Sequence, residues 1–251
     1  MISATTISPL NRKIVDGGVP PFPFGNALQF DGVNDYVSFA TQPNNSINQD
    51  FIISIWFKTS DTGIGIRIKV PFFGELSGSW LTGIGVDDGK FALFYFDGTS
   101  NKTIGSTSVA DGVWHHALIL RNKEVLNYNS KITVWIDGVL ELNAVDFNVR
   151  NFDTYLRLNQ IGALNPNYAN VILDSLMWYW GSTLTATLSD AQYIYNNSNG
   201  RDPLDLFASA QIMLDFNESS GASVAVNRGV GGATYNGTLN NFNTATCWVA
   251  H

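Results

Sequence analysis

Short runs of alternating apolar and polar residues dominate the chain, and most of them stop at a turn signal. FIISIWFK (51–58) puts Ile53, Ile55 and Phe57 on one face, the period-two pattern of a strand with one side inward. FALFYFDG (91–98) and KITVWIDG (131–138) each close in Asp-Gly, a dipeptide suited to the positive φ angles of a tight hairpin. NALQFDG and NDYVSFA on either side of Val33, VWHHALIL (113–120), YLRLNQIG (155–162) and VILDSLMWYW (171–180) complete a set of strands. In the last of these, Leu176, Trp178 and Trp180 share one face, and Met177 and Tyr179 the other. Residues 61–90 are glycine-rich and poorly patterned, and are expected to hold strands with irregular loops.

One helix interrupts this pattern. LSDAQYIYNN, within 188–198, offers Ser189 as N-cap with Gln192 three residues on, and Gly200 and Pro203 to end it. The segment 211–250 then returns to β signals: QIMLDF (211–216), a glycine-rich loop at 229–232 and Asn236-Gly237. Pro9, Pro20, Pro21 and Pro23 disfavour both helix and interior strand. Residues 1–24 are therefore expected to form an extended arm, and 25–251 one domain. The pattern predicts an all-β antiparallel sandwich of the jelly-roll type with one short helix.

Composition narrows the function classes. A chain of 251 residues, 45% hydrophobic and 14% charged, can bury a substantial core. The net charge is −7 and basic residues form no run, so the electrostatic footprint of a nucleic-acid binder is missing. No apolar stretch approaches the roughly 20 residues that span a bilayer, so no membrane insertion is expected. Cys247 is the single cysteine, which leaves no internal disulfide; beside Trp248 it reads as a small apolar filler. The first residues, MISATTISPLNRK, lack the basic start and apolar stretch of a secretory signal.

The stretch GVWHHALIL (112–120) raises the question of chemistry, because it holds two of the three histidines. Neighbours on a strand point to opposite faces, so His116, Leu118 and Leu120 share one side and His115, Ala117 and Ile119 the other. Such a pair cannot readily grip one metal, and a structural role is expected, with a histidine beside Trp114 satisfying a hydrogen bond.

DGVWHHALILRN also resembles the D-G-x-W-H-H-V-A strand of laminin G-like, concanavalin A-like jelly rolls. FGNALQFDGVNDYVSF, FIISIWFKTS, ITVWIDGVLE, LNQIGA and LDSLMWYWGSTLTATLSDAQ resemble further pieces of that family, in its order. LDFNESSGASVAVNRGVGGATYNGTLNN resembles a segment that precedes the opening strand in many members but follows the helix here. That placement implies that the two ends of the domain lie close together.

The resemblance implies a fold that hosts lectins, adhesion modules, glycosidases and structural proteins. Related glucanases use Glu-x-Asp-x-(x)-Glu on one strand; none of the four glutamates, Glu75, Glu124, Glu141 and Glu218, completes it. No GxSxG elbow or phosphate loop appears either, so no enzyme is expected. The family also implies a structural calcium ion held by Asp174 with the early loop that carries Asp31 and Asp35. The alternative is that FDGVNDY is a tight turn whose Asp and Asn side chains cap their own backbone. Carbohydrate binding needs exposed aromatic platforms, for which Trp80 and Tyr168 are the loop candidates. Two functional readings follow. One is a phage virion surface component, a head decoration or tail-fibre protein that meets a surface glycan or polysaccharide and docks on other virion proteins through its arm. The other is a secreted or surface-anchored bacterial carbohydrate-binding module.

Overall fold

The structure, a computed structural model, describes residues 24–41, 43, 49–74, 82–96, 99–123, 130–147 and 160–251. The first strands are β1 (Asn26–Asp31), β2 (Tyr36–Phe39), β3 (Asp50–Lys58), β4 (Val70–Gly74), β5 (Thr82–Asp87) and β6 (Lys90–Phe96). They are followed by β7 (Ser100–Ser108), β8 (His115–Lys123), β9 (Ser130–Ile136) and β10 (Val139–Asp146). Next come the short β11 (Gln160–Ile161), β12 (Ala163–Leu164) and β13 (Asn167–Tyr168), then the long β14 (Asn170–Gly181). Helix α1 (Leu188–Tyr195) separates these from β15 (Ile212–Leu214), β16 (Val224–Ala225), β17 (Gly237–Asn240) and β18 (Trp248–Ala250).

The strands form two large antiparallel sheets that pack as a jelly-roll sandwich. One runs β10-β9-β8-β3-β14-β1-β18, with β15 also paired to β14; the other runs β16-β17-β2-β11-β4-β5-β6-β7. The core between them holds Phe30, Ile53, Phe57, Phe72, Phe73 and Trp178, all buried. The faces match the alternation: Ala117 and Ile119 enter this core, whereas Leu118 and Leu120 lie on the far side of the first sheet. Trp178 and Trp180 likewise point inward and Met177 outward.

The far side of the first sheet is not left to solvent. Ala191 and Ile194 of α1, with Phe207 and Ala210, cover Ile52, Leu118, Leu120 and Met177. This second apolar layer is why β3 and β8 are buried on both faces and read as near-continuous apolar runs. On β14 the inward phase switches from Val171 and Leu173 to Leu176, Trp178 and Trp180. The switch falls at a bulge between Asp174 and Met177, where Ser175 has φ 48°; one extra residue reverses the faces.

Three sequence expectations are corrected or fall outside the description. The helix is capped two residues earlier than expected: Thr187, not Ser189, is the N-cap, and Asp190 rather than Gln192 completes the capping box. Thr187 Oγ1 accepts from the Asp190 amide, and the Asp190 carboxylate accepts from the Thr187 amide at 2.8 Å. Of the YLRLNQIG strand, 155–159 lie outside the described residues and 160–161 form β11, and residues 1–23 of the arm also lie outside them. Phe24, which is described, packs its ring edge-on against Trp56 at 5.2 Å.

Candidate functional site

A cleft of about 460 Å³ opens between α1 and the turn joining β9 to β10. Its first wall comes from the Asp-Gly dipeptide that the sequence marks as a turn. Asp137 and Gly138 have φ 52° and 72°, the paired positive values of a two-residue hairpin turn. A Cβ at Gly138 would sit 3.2 Å from Gln192 Cγ, so glycine serves both the turn and the close approach of the helix.

The second wall is the end of α1. The chain leaves the helix through three consecutive left-handed residues, Asn196, Asn197 and Ser198, with φ 46°, 52° and 68°. Asparagine tolerates this region better than most residues. The turn is closed by the Gly200 amide on the Tyr195 carbonyl and the Arg201 amide on the Ile194 carbonyl, at 3.2 and 2.9 Å. That return brings the Arg201 guanidinium to 4.5 Å from the Tyr193 ring centroid, a cation–π contact. Tyr195 stacks on Trp56 at 5.9 Å and bonds Ser198 Oγ through its hydroxyl at 2.7 Å. The Tyr193 hydroxyl donates to Asp205 at 3.2 Å. Rings, amide side chains and one cation therefore meet in one half-open cleft.

Beneath the turn lies the histidine pair. His115 Nδ1 is 2.7 Å from Asp137 Oδ2, and its Nε2 is 3.1 Å from Asp111 Oδ1. Burial pushes the His115 imidazole down, but the two carboxylates outweigh it and hold the ring above its ordinary value. His116 is buried on the other face, with Nε2 2.8 Å from Ser54 Oγ. Its burial drives the imidazole to about 3, only partly opposed by Asp137, so it is neutral. Asp137 Oδ1 accepts the His116 amide at 2.8 Å. Asp137 is the one carboxylate among the described residues lining the cleft, and both of its oxygens are engaged.

Comparison with known proteins places this geometry in a family. A laminin G model of the concanavalin A-like lectin/glucanases superfamily matches residues 31–188. The chain belongs to the laminin G family. Several solved structures are similar to the chain. One, described as a "putative carbohydrate binding protein" from Bacteroides ovatus, is 13% identical with a TM-score of 0.55, over 88% of this chain and 59% of that one. The binding domain of Paraclostridial Mosquitocidal Protein 1 is 15% identical with a TM-score of 0.43, over 69% of this chain and 52% of that one. This laminin G domain thus spans between about half and three fifths of those two chains. The heptameric SAP-like pentraxin of Limulus polyphemus is 11% identical with a TM-score of 0.44, over 68% of this chain and 82% of that one. No curated protein matches the sequence. The family match ends at Leu188, where α1 begins, so the helical wall of the cleft lies beyond it.

Among the described residues, none of those expected to form sites in this laminin G domain lines the cleft. Trp80 lies outside the described residues. Tyr168 is half-buried on β13, in the hairpin whose Asn167 side chain donates to the Ile68 carbonyl at 2.7 Å; it does not line the cleft. Asp31 and Asp35 share one turn, whereas Asp174 stands apart from it along the sheet. Asp31 pairs across the sheet with Asn170, four residues from Asp174, about 13 Å at strand rise. Calcium holds its oxygens at only about 2.3–2.6 Å. Asp174 is buried and its Oδ2 is 2.6 Å from His251 Nδ1. Asp31 Oδ1 accepts from the Val33 and Asn34 amides, and Asp35 Oδ2 accepts from the Asp31 amide. These are the contacts of a self-capped turn.

Tyr193, Tyr195 and Arg201 were not singled out from the sequence. The signal was present in Asn196-Asn197-Ser198-Asn199-Gly200, five residues suited to left-handed backbone directly after a helix.

Proposed function

We propose that this laminin G domain is a non-catalytic glycan-binding protein displayed on a virion surface through residues 1–24. The observation that carries the binding reading is the cleft at the end of α1. Its volume lies in the range of small-ligand sites. Sugars offer C–H faces to aromatic rings and hydroxyls to amides, and Tyr195, Gln192 and Asn197 provide both partners. The description of the Bacteroides protein makes glycans the first ligand class to try.

Support for the non-catalytic part is chemical. Glycoside hydrolysis uses two placed carboxyl groups, and Asp137, the one carboxylate among the described residues of the cleft, is committed to His115 and the His116 amide. The proline-containing segment 1–24 and the single cysteine favour an arm-docked virion protein over a disulfide-stapled secreted one.

The test is a glycan array followed by calorimetry with the full chain and a Val139→Trp variant. Val139 is exposed and lines the cleft, so the indole should obstruct it without unfolding the domain. At least one glycan should bind, and the variant should weaken it about tenfold or more, with an unchanged melting temperature. Tyr168→Ala and Trp80→Ala should leave the affinity unchanged. Loss of binding in either of those two, with Val139→Trp silent, would move the site to the loops. Cleavage of a polysaccharide would end the non-catalytic reading. Display on a virion predicts that the chain cosediments with phage particles and that deletion of residues 1–24 abolishes this.

A further inference from the structure

We propose that the α1 cleft selects acidic sugars, with the Arg201 guanidinium pairing a sugar carboxylate. This rests on the cleft being the glycan site and names the class of glycan it takes.

Several cations of this protein are already neutralised by carboxylates. Lys69 pairs with Asp61, Lys102 with buried Asp87, Lys131 with Asp146, and Arg228 with both Asp202 and Asp215. Arg201 differs. Among the described residues its side chain forms no ion pair, and its Nε is buried without a hydrogen-bond partner. Buried donors are nearly always satisfied, and an orphaned one calls for an explanation. Of the nearby carboxylates, Asp202 accepts from Arg228 at 3.1 Å and from the Leu204 amide at 2.9 Å, and Asp205 accepts from the Tyr193 hydroxyl at 3.2 Å.

Arg201 is also held in place before anything binds. Its amide is clamped to the Ile194 carbonyl, and its guanidinium rests on the Tyr193 ring at 4.5 Å. The turn that positions it keeps three non-glycine residues left-handed, a conformation that persists only where surroundings impose it. The other charge of the cleft, Asp137, lies against His115 at 2.7 Å and does not cancel the cation. A neutral sugar would leave the guanidinium without a counter-charge. A carboxylate matches its planar fork with two parallel hydrogen bonds.

The experiment measures calorimetric affinities for matched pairs: oligomers of galacturonate, glucuronate and mannuronate, and their methyl esters. The ester keeps the sugar and removes the charge. At least one acid should bind about tenfold or more tightly than its ester, and the preference should weaken with added salt. Arg201→Gln should abolish the preference and Arg201→Lys should keep part of it, with melting temperatures checked for both. If acid and ester bind equally, or only neutral glycans bind, the acidic assignment is overturned while the glycan-binding reading stands. If a sulfated galactan binds as well as the uronates, the cation accepts any anion and the carboxylate assignment is overturned. If neither these oligomers nor any glycan on the array binds, both readings fall.

Discussion

On β8, His115 and His116 point to opposite faces of one sheet, and the two faces treat a proton in opposite ways. His115 is bracketed by Asp111 and Asp137 and held above its ordinary value. Its contribution to stability is complete below the unfolded histidine value and is lost as pH rises through the folded one. His116, buried against Trp56 and Ser54, is held down to about 3. There the unfolded chain takes up the proton first, so stability falls as pH drops below the unfolded value, by about 2 kcal/mol at pH 5. Replacing His116 with Gln keeps an amide within reach of Ser54 and removes the titration. In urea unfolding, the loss of stability between pH 7 and pH 5 should be about 2 kcal/mol larger in the wild type than in His116→Gln. An identical pH dependence would show that His116 takes up a proton as readily in the folded protein as in the unfolded chain. Strand alternation alone separates these two side chains and excludes a shared metal. Their opposite charge states depend on Asp111 and Asp137 coming together around one ring, which periodicity does not encode.

At the scale of elements, alternation was legible wherever a strand has one phase throughout. β3 and β8 carry the inward residues that period two assigns them. β14 shows the limit: its face reverses at Ser175, and no local signal distinguishes that bulge from a continuous strand. The helix was legible in place but not in cap, because Thr187-x-x-Asp190 and Ser189-x-x-Gln192 are overlapping candidates for the same start. The structure decides between them by energy as well as geometry. Thr187→Ala removes a side-chain acceptor from the first turn and should cost about 1 kcal/mol, whereas Ser189→Ala should stay within about 0.5 kcal/mol. Chemical denaturation of the two variants measures both. The calcium expectation meets a related difficulty: family position aligns Asp174 with Asp31 and Asp35, whereas register puts Asp31 opposite Asn170, four residues from Asp174. Chelator should therefore leave the unfolding temperature unchanged. A drop would require a metal held by some other set of oxygens.

At the scale of the whole molecule, the sandwich is closed by a seam between its first and last strands. β18 pairs antiparallel with β1, Asn26 opposite Ala250 and Leu28 opposite Trp248. The unusual placement of the N-G-T-L segment after the helix already implied that closeness. The sequence did not reveal what fastens the seam. His251 lies between Trp114 and Phe24, with ring centroids 3.9 and 3.7 Å away, and its Nδ1 meets Asp174 Oδ2 at 2.6 Å. It thereby joins the seam to the middle of β14, the strand on which both halves of the first sheet hang. Asp174 is buried, and burial raises its carboxyl above the ordinary range despite the opposing pull of His251 and Ser175. A carboxyl raised on folding costs more stability as pH rises, because it must be held ionised in the interior. Removing the histidine withdraws the main group that eases this cost. His251→Ala should therefore destabilise the domain by about 1–3 kcal/mol at neutral pH and by clearly less at pH 4, where the carboxyl can stay protonated. Adding Asp174→Asn to His251→Ala should recover part of the neutral-pH loss and flatten its pH dependence, which a double-mutant cycle in urea would measure. A penalty for His251→Ala that is equal at both pH values, and unchanged by Asp174→Asn, would assign the fastening to ring stacking alone.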